Sequence, residues 1–87
     1  MSGFMNLTIT MHNPRGVIMR ELTDPACRGV TQASVALTYA WIMAQEGHTA
    51  DWTEINAAIR ARWSKAGLER VKKLAWKQME LWAKAAA

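Results

Sequence analysis

Cysteine, proline, histidine and phenylalanine are scarce in this sequence of 87 residues, which has one cysteine, two prolines, two histidines and one phenylalanine. The single Cys27 excludes a disulfide within the chain, and together with the lack of a secretory leader it predicts a cytoplasmic protein. Long hydrophobic runs are missing as well. The longest, residues 35–44, is interrupted by Thr38 and is too short to cross a bilayer, so we expect no membrane contact.

The patterns that usually carry catalysis are also missing. His12 and His48 are not placed at a spacing typical of metal ligands. No glycine-rich phosphate loop is present, the acidic residues are too scattered to suggest a carboxylate pair, and no serine lies in a recognisable nucleophile motif. We therefore predict a protein that is not an enzyme and that has no cofactor and no metal site.

The sequence is 51% hydrophobic, and its apolar residues recur at helical spacing. Asn13-Pro14 predicts the start of a first helix, with asparagine as the N-cap and proline in the first turn. Asp24-Pro25 ends it and opens one further turn. Thr31 is placed to cap a second helix that Gly47 ends. Because that helix is apolar on nearly all sides, we expect it to be central.

Two further helical segments follow. Asp51 is a predicted N-cap for a segment that ends at residue 63, and residues 64–67 are a predicted break with Ser64 as the next N-cap. The apolar faces of the two segments are the predicted core: Trp52, Ile55, Ile59 and Trp63 in the first, and Leu68, Val71, Ala75, Met79 and Trp82 in the second. The sequence thus predicts an all-α fold, a small bundle of three to four helices forming one domain over residues 1–87. Residues 85–87 are three alanines of the kind that a cloning vector leaves, and we expect no structural role for them.

Residues 1–12 carry a strand-like pattern, in which Leu7, Ile9 and Met11 alternate with Thr8 and Thr10. A single strand leaves its backbone groups unpaired. Three alternatives follow for this N-terminal arm. It pairs with the same segment of a second copy, which gives a homodimer, it pairs with a partner, or it is a flexible arm.

The net positive charge is confined to the second half of the chain. Residues 1–47 are neutral, whereas residues 48–87 have eight Lys/Arg against four Asp/Glu, a net charge of +4. On the last helix Arg70, Lys73 and Lys77 lie opposite the apolar face, and Trp76 lies at its margin, where it either widens the core or is an interface anchor. Lys72, four residues before Trp76, is placed to stack on its ring.

These observations predict a small cytoplasmic regulator or inhibitor that binds a macromolecular partner stoichiometrically through Arg70, Lys73, Trp76 and Lys77. We expect the partner to be an acidic protein surface, a profile found among small regulators encoded by mobile elements. The alternative is a DNA- or RNA-binding transcriptional regulator of helix-turn-helix type, with residues 64–67 as the turn. The usual register of that motif would place Arg62 and Lys73 in the core, which argues against it.

Overall fold

A computed structural model describes residues 13–86 of the chain. In this range the elements are α1 (Pro14–Thr23), a 3-10 turn (Pro25–Cys27), α2 (Gln32–Glu46), a second 3-10 turn (Gly47–Thr49) and α3 (Thr53–Ala86). The predicted all-α class is confirmed for this part of the chain, with three helices. The strand-like arm, residues 1–12, lies outside the described residues, so its pairing and the homodimer stay predictions. Of the three terminal alanines, Ala85 and Ala86 belong to α3.

The predicted capping residues lie at the observed helix ends. The side chains of Asn13 and Thr31 each accept a hydrogen bond from the backbone N–H three residues later, at 3.4 and 3.1 Å. Gly47 ends α2 with a φ of 58°, a left-handed conformation that glycine adopts without steric cost. Asp51 accepts from the backbone N–H of Thr53 at 3.0 Å, and α3 begins at Thr53, two residues later than predicted.

Helices α1 and α3 both pack on α2, so α2 is the central helix. This agrees with the prediction from its sequence, which is apolar on nearly all sides. Of the predicted core positions, Ile55, Ile59, Leu68, Val71 and Ala75 are buried, whereas Trp52, Trp63, Met79 and Trp82 are half-buried at the margin of the core. The buried apolar side chains come from all three helices: Ile18, Leu22, Val35, Ala36, Tyr39, Ala40, Ile42, Ile55, Ile59, Leu68, Val71 and Ala75.

One polar cluster is built into the contact between α1 and α2. Thr38 is 1% exposed, and its hydroxyl donates to a Glu21 carboxylate oxygen at 2.9 Å. Ser34, one turn earlier, donates to the other carboxylate oxygen at 3.1 Å. Because a buried hydroxyl without a partner costs free energy, Glu21 is what allows Thr38 to lie in the core.

An ion pair holds the start of α1 against the end of α2. The Arg15 guanidinium contacts both carboxylate oxygens of Glu46, with N···O distances of 2.7 and 2.8 Å, and it also donates to the Asp51 carbonyl at 3.0 Å. The hydrogen bonds from Arg15 lower the pKa of the Glu46 carboxyl. A hydrogen bond from the Thr53 backbone lowers the pKa of the Asp51 carboxyl.

Truncation of Ile59 tests the core. Ile59 is fully buried, so we expect Ile59→Ala to lower the free energy of unfolding by about 2–5 kcal/mol through lost burial and a cavity. Chemical denaturation measures the loss. The control is Arg60→Ala at the next, exposed position, for which we expect a change within about 0.5 kcal/mol. Equal effects of the two substitutions would show that Ile59 does not face the core.

Acid titration tests the Arg15–Glu46 pair. The folded-state pKa of Glu46 lies below its ordinary value of 4.5, so the unfolded chain binds the proton more readily. The stabilisation is therefore present above pH 4.5 and is lost as the pH falls through the lower folded-state pKa. We expect Glu46→Gln to weaken the acid dependence of the thermal midpoint and Glu80→Gln, at an exposed position, to leave it unchanged. An unchanged acid dependence in Glu46→Gln would contradict the pair.

Candidate functional site

A backbone break inside α3 sets the direction of the segment that carries the predicted site. Ser64 has φ 68° and ψ −179°, and it is the non-helical position that separates residues 53–63 from residues 65–86. The predicted break at residues 64–67 is therefore confirmed, but it is confined to its first residue. This backbone conformation is adopted almost only by glycine, so Ser64 holds local strain.

The break allows the two segments of α3 to come into close contact. Gly67 is buried, and a Cβ at this position would overlap the Cβ of Trp63 and lie 3.4 Å from the Gln32 amide nitrogen. Only glycine lets the backbone approach this closely without a shift of Trp63. Gly67 is thus required for the packing that brings the second segment onto α2.

The side chain of Arg62 forms hydrogen bonds within the domain and does not point freely into solvent. Its Nη2 donates to the carbonyl oxygens of Arg28 and, at 3.3 Å, of Cys27 in the turn after α1. Its guanidinium carbon lies 5.1 Å from the centroid of the Trp63 ring, a cation–π contact. Arg62 therefore fixes the loop beside the break and adds little to the outer basic surface.

Three of the four predicted binding residues, Arg70, Lys73 and Lys77, are exposed on the second segment of α3, and we call them the basic strip. Arg70 donates to the neutral Gln32 side chain at 3.3 Å, and within residues 13–86 none of the three forms an ion pair. A depression of about 320 Å³ lies beside the strip, lined by Ala66, Glu69, Arg70 and Lys73. The strip thus presents cations whose charge no described acidic side chain compensates directly.

The expected contact between Lys72 and Trp76 is not observed. The Lys72 ammonium lies 3.8 Å from the Glu69 carboxylate, one turn earlier, and the cation–π contact of the described residues is the one between Arg62 and Trp63. Glu69 therefore neutralises Lys72 and leaves the ring of Trp76 open. This surface pair contributes little to stability, because both side chains are well solvated.

Trp76, the fourth predicted binding residue, is 58% exposed and does not belong to the core. Leu81 is the other large apolar side chain with high exposure, at 52%. At 100° per residue, Trp76 and Leu81 border the basic strip on opposite sides. An exposed tryptophan beside unpaired cations is the composition of an interface anchor.

The structure adds a feature that the sequence did not predict, an apolar groove on the far side of Trp76. Its volume is about 380 Å³, within the range of ligand pockets, which is about 300–1,000 Å³. The groove is lined by Met43, Gly47, His48, Trp52, Trp76 and Met79. The sequence showed these residues as separate helix and loop positions, because the groove forms only when the end of α2 and the residues between α2 and α3 meet the second segment of α3.

One wall of the groove is held rigidly by aromatic packing. The rings of Trp52 and Tyr39 are stacked, with centroids 4.1 Å apart and an interplanar angle of 13°. The Tyr39 hydroxyl donates to the Asn56 side chain at 3.0 Å, and burial raises the pKa of Tyr39 to about 12. The phenol is therefore neutral at physiological pH and keeps this hydrogen bond.

Residues 13–86 contain no group of three or more histidine, cysteine, aspartate or glutamate side chains arranged to hold a metal ion. None of the described helices is both long enough and apolar enough to span a membrane. Comparisons with protein-family models, with curated proteins and with solved structures found no match to this chain.

Substitution of Ser64 tests the strained break. We expect Ser64→Gly to raise the free energy of unfolding by about 1 kcal/mol, because glycine adopts the observed conformation without the steric cost. Thermal or chemical denaturation measures the gain, and Ser64→Ala, which keeps a Cβ, is the control without a gain. If Ser64→Gly instead destabilises the protein, as a glycine inside a regular helix does, then residue 64 is helical in solution.

Proposed function

We propose that this chain is a small non-enzymatic regulator or inhibitor that binds an acidic protein surface through Trp76 and the basic strip. The observation that carries the proposal is the combination of a tryptophan that is 58% exposed with three neighbouring cations that have no ion-pair partner within residues 13–86. Stoichiometric binding needs only such a surface, and a chain of 87 residues is large enough to hold it rigidly.

The two parts of this surface have different roles in binding. The cations of the basic strip steer the encounter with a negatively charged partner and raise the association rate. Trp76 supplies the area that loses water in the complex, and tryptophan is enriched among the residues that dominate binding energy.

Binding of nucleic acid by a helix-turn-helix is the alternative, and two observations make it the weaker one. That motif joins two helices by a turn of about three to four residues, whereas between residues 53 and 86 only Ser64 departs from helical dihedrals. In addition, Glu69 lines the same depression as Arg70 and Lys73, where it would repel a phosphate backbone.

A cytoplasmic location is part of the proposal. Cys27 is a free, half-buried thiol, and an unpaired cysteine is typical of proteins in a reducing compartment. The homodimer predicted from residues 1–12 is not needed for a site that lies entirely on α3.

The test begins with capture of the partner from a lysate of the native host, with and without nuclease, followed by affinity measurements on the purified pair. We expect Trp76→Ala to weaken binding by about 2 kcal/mol, roughly 30-fold, mainly through faster dissociation. Leu81→Ala is the matched control, an exposed apolar residue at the other border. Its effect should be much smaller.

A second pair of variants tests the cations. Reversal of Arg70, Lys73 and Lys77 to glutamate should abolish binding, whereas reversal of three exposed cations outside the second segment of α3, Arg20, Arg28 and Arg60, changes the net charge equally and should weaken it far less. Wild-type affinity in the strip variant would rule this surface out. A partner lost on nuclease treatment, with a salt slope of about −0.9 per phosphate contact, would instead establish the nucleic-acid alternative.

A further inference from the structure

The proposed function leaves the apolar groove without a role. It is open to solvent, and the side chains around it, those of Met43, Trp52, Trp76 and Met79, are apolar. An exposed apolar concavity of this kind marks a docking site, because removing such a surface from water lowers the free energy. The occupant has to be uncharged, since His48 is the one titratable side chain in the lining.

The described chain begins at the rim of this groove. Arg15, at the start of α1, contacts Glu46 and the carbonyl of Asp51. In the sequence these two residues directly precede Gly47 and Trp52, which line the groove. Residues 1–12 are joined to Asn13, two positions before Arg15, so their point of attachment is close in sequence to a residue that contacts the edge of the groove. Twelve residues reach at most about 40 Å when extended, which is ample to cross it.

The composition of residues 1–12 matches the groove. This segment contains no aspartate, glutamate, lysine or arginine, and its apolar residues are Met1, Phe4, Met5, Leu7, Ile9 and Met11. The last three are spaced two apart, so an extended chain would present them on one side and Thr8 and Thr10 on the other. Such a segment has no acidic side chain that could pair with the basic strip, but its apolar side chains suit a cavity lined by methionine and tryptophan.

We propose that residues 1–12 of this chain dock in the apolar groove, with Leu7, Ile9 and Met11 against Met43, Met79 and the groove side of Trp76. The docked segment covers apolar surface that the three helices leave open, and it belongs to the same molecule. The proposal does not depend on the partner proposed above. It has one consequence for that partner: the segment competes for the groove side of Trp76 and leaves the basic strip free.

The test uses the full-length protein and a matched pair of double substitutions. Leu7→Asn with Ile9→Asn removes the apolar side, and Thr8→Asn with Thr10→Asn places the same two asparagines on the polar side. The readouts are the methyl resonances of Met43 and Met79 and the indole N–H of Trp76. Their chemical shifts are measured together with their broadening by a soluble gadolinium chelate, while light scattering gives the mass of each sample.

We expect Leu7→Asn with Ile9→Asn to shift these resonances and to increase their broadening, because the groove opens to solvent. Thr8→Asn with Thr10→Asn should leave both quantities at the wild-type values. If both variants match the wild type, the groove is empty and the proposal is wrong. Equal changes in both variants would also overturn it, since the contact would not then depend on the apolar side. A further outcome is that the groove resonances of the wild type are shielded from the chelate only while the protein is a dimer, and lose that shielding when dilution dissociates it. That result would assign the groove to a second copy and overturn the proposal.

Discussion

Burial of α2 is the constraint on which the rest of this structure depends. The helix has 15 residues, and its one charged side chain is that of Glu46, at its end. Only contacts on several sides can remove so much apolar surface from water. Helix α1 has 10 residues and is too short to be stable alone, so its packing on α2 stabilises both. Thr38 is accommodated in the same contact because Glu21 accepts its hydrogen bond.

The same constraint explains the break in α3. Helix α2 is about 22 Å long, whereas an unbroken helix of 34 residues would be about 51 Å long and would extend far beyond it. The longest dimension of the molecule is 36 Å. The change of direction at Ser64, together with the absence of a side chain at Gly67, lets both segments of α3 bury apolar residues on one short helix.

Because the apolar face of α3 is buried against α2, the charged residues on its opposite face are exposed to solvent. The proposed binding surface lies on this exposed face. Arg62 and Lys72 have their own partners in Cys27, Arg28 and Glu69. Three exposed cations that form no ion pair within residues 13–86, Arg70, Lys73 and Lys77, lie together in the basic strip. Trp76 lies between this strip and the apolar groove and is a wall of the latter. Two chemically different surfaces therefore meet at one side chain, one suited to an acidic protein and the other to an apolar segment.

The sequence by itself determined the features that depend on neighbouring residues. Asn13, Thr31 and Gly47 mark helix ends because capping is a local interaction, and the spacing of Ile55, Ile59, Leu68 and Val71 identifies the buried faces because helical periodicity is local too. The exposure of the basic strip follows from the same periodicity.

Tertiary structure alone decided the features that join residues far apart in the chain. The groove brings Met43 and Met79 together, Arg15 pairs with Glu46, and Arg62 donates to the turn that follows α1. Spacing also did not show that Lys72 pairs with Glu69 and not with the ring of Trp76. Both residues are helical neighbours of Lys72, at three and four positions from it. Which side chains meet across helices depends on how the helices are oriented, and here that orientation depends on the backbone dihedrals of Ser64, which no periodic pattern encodes.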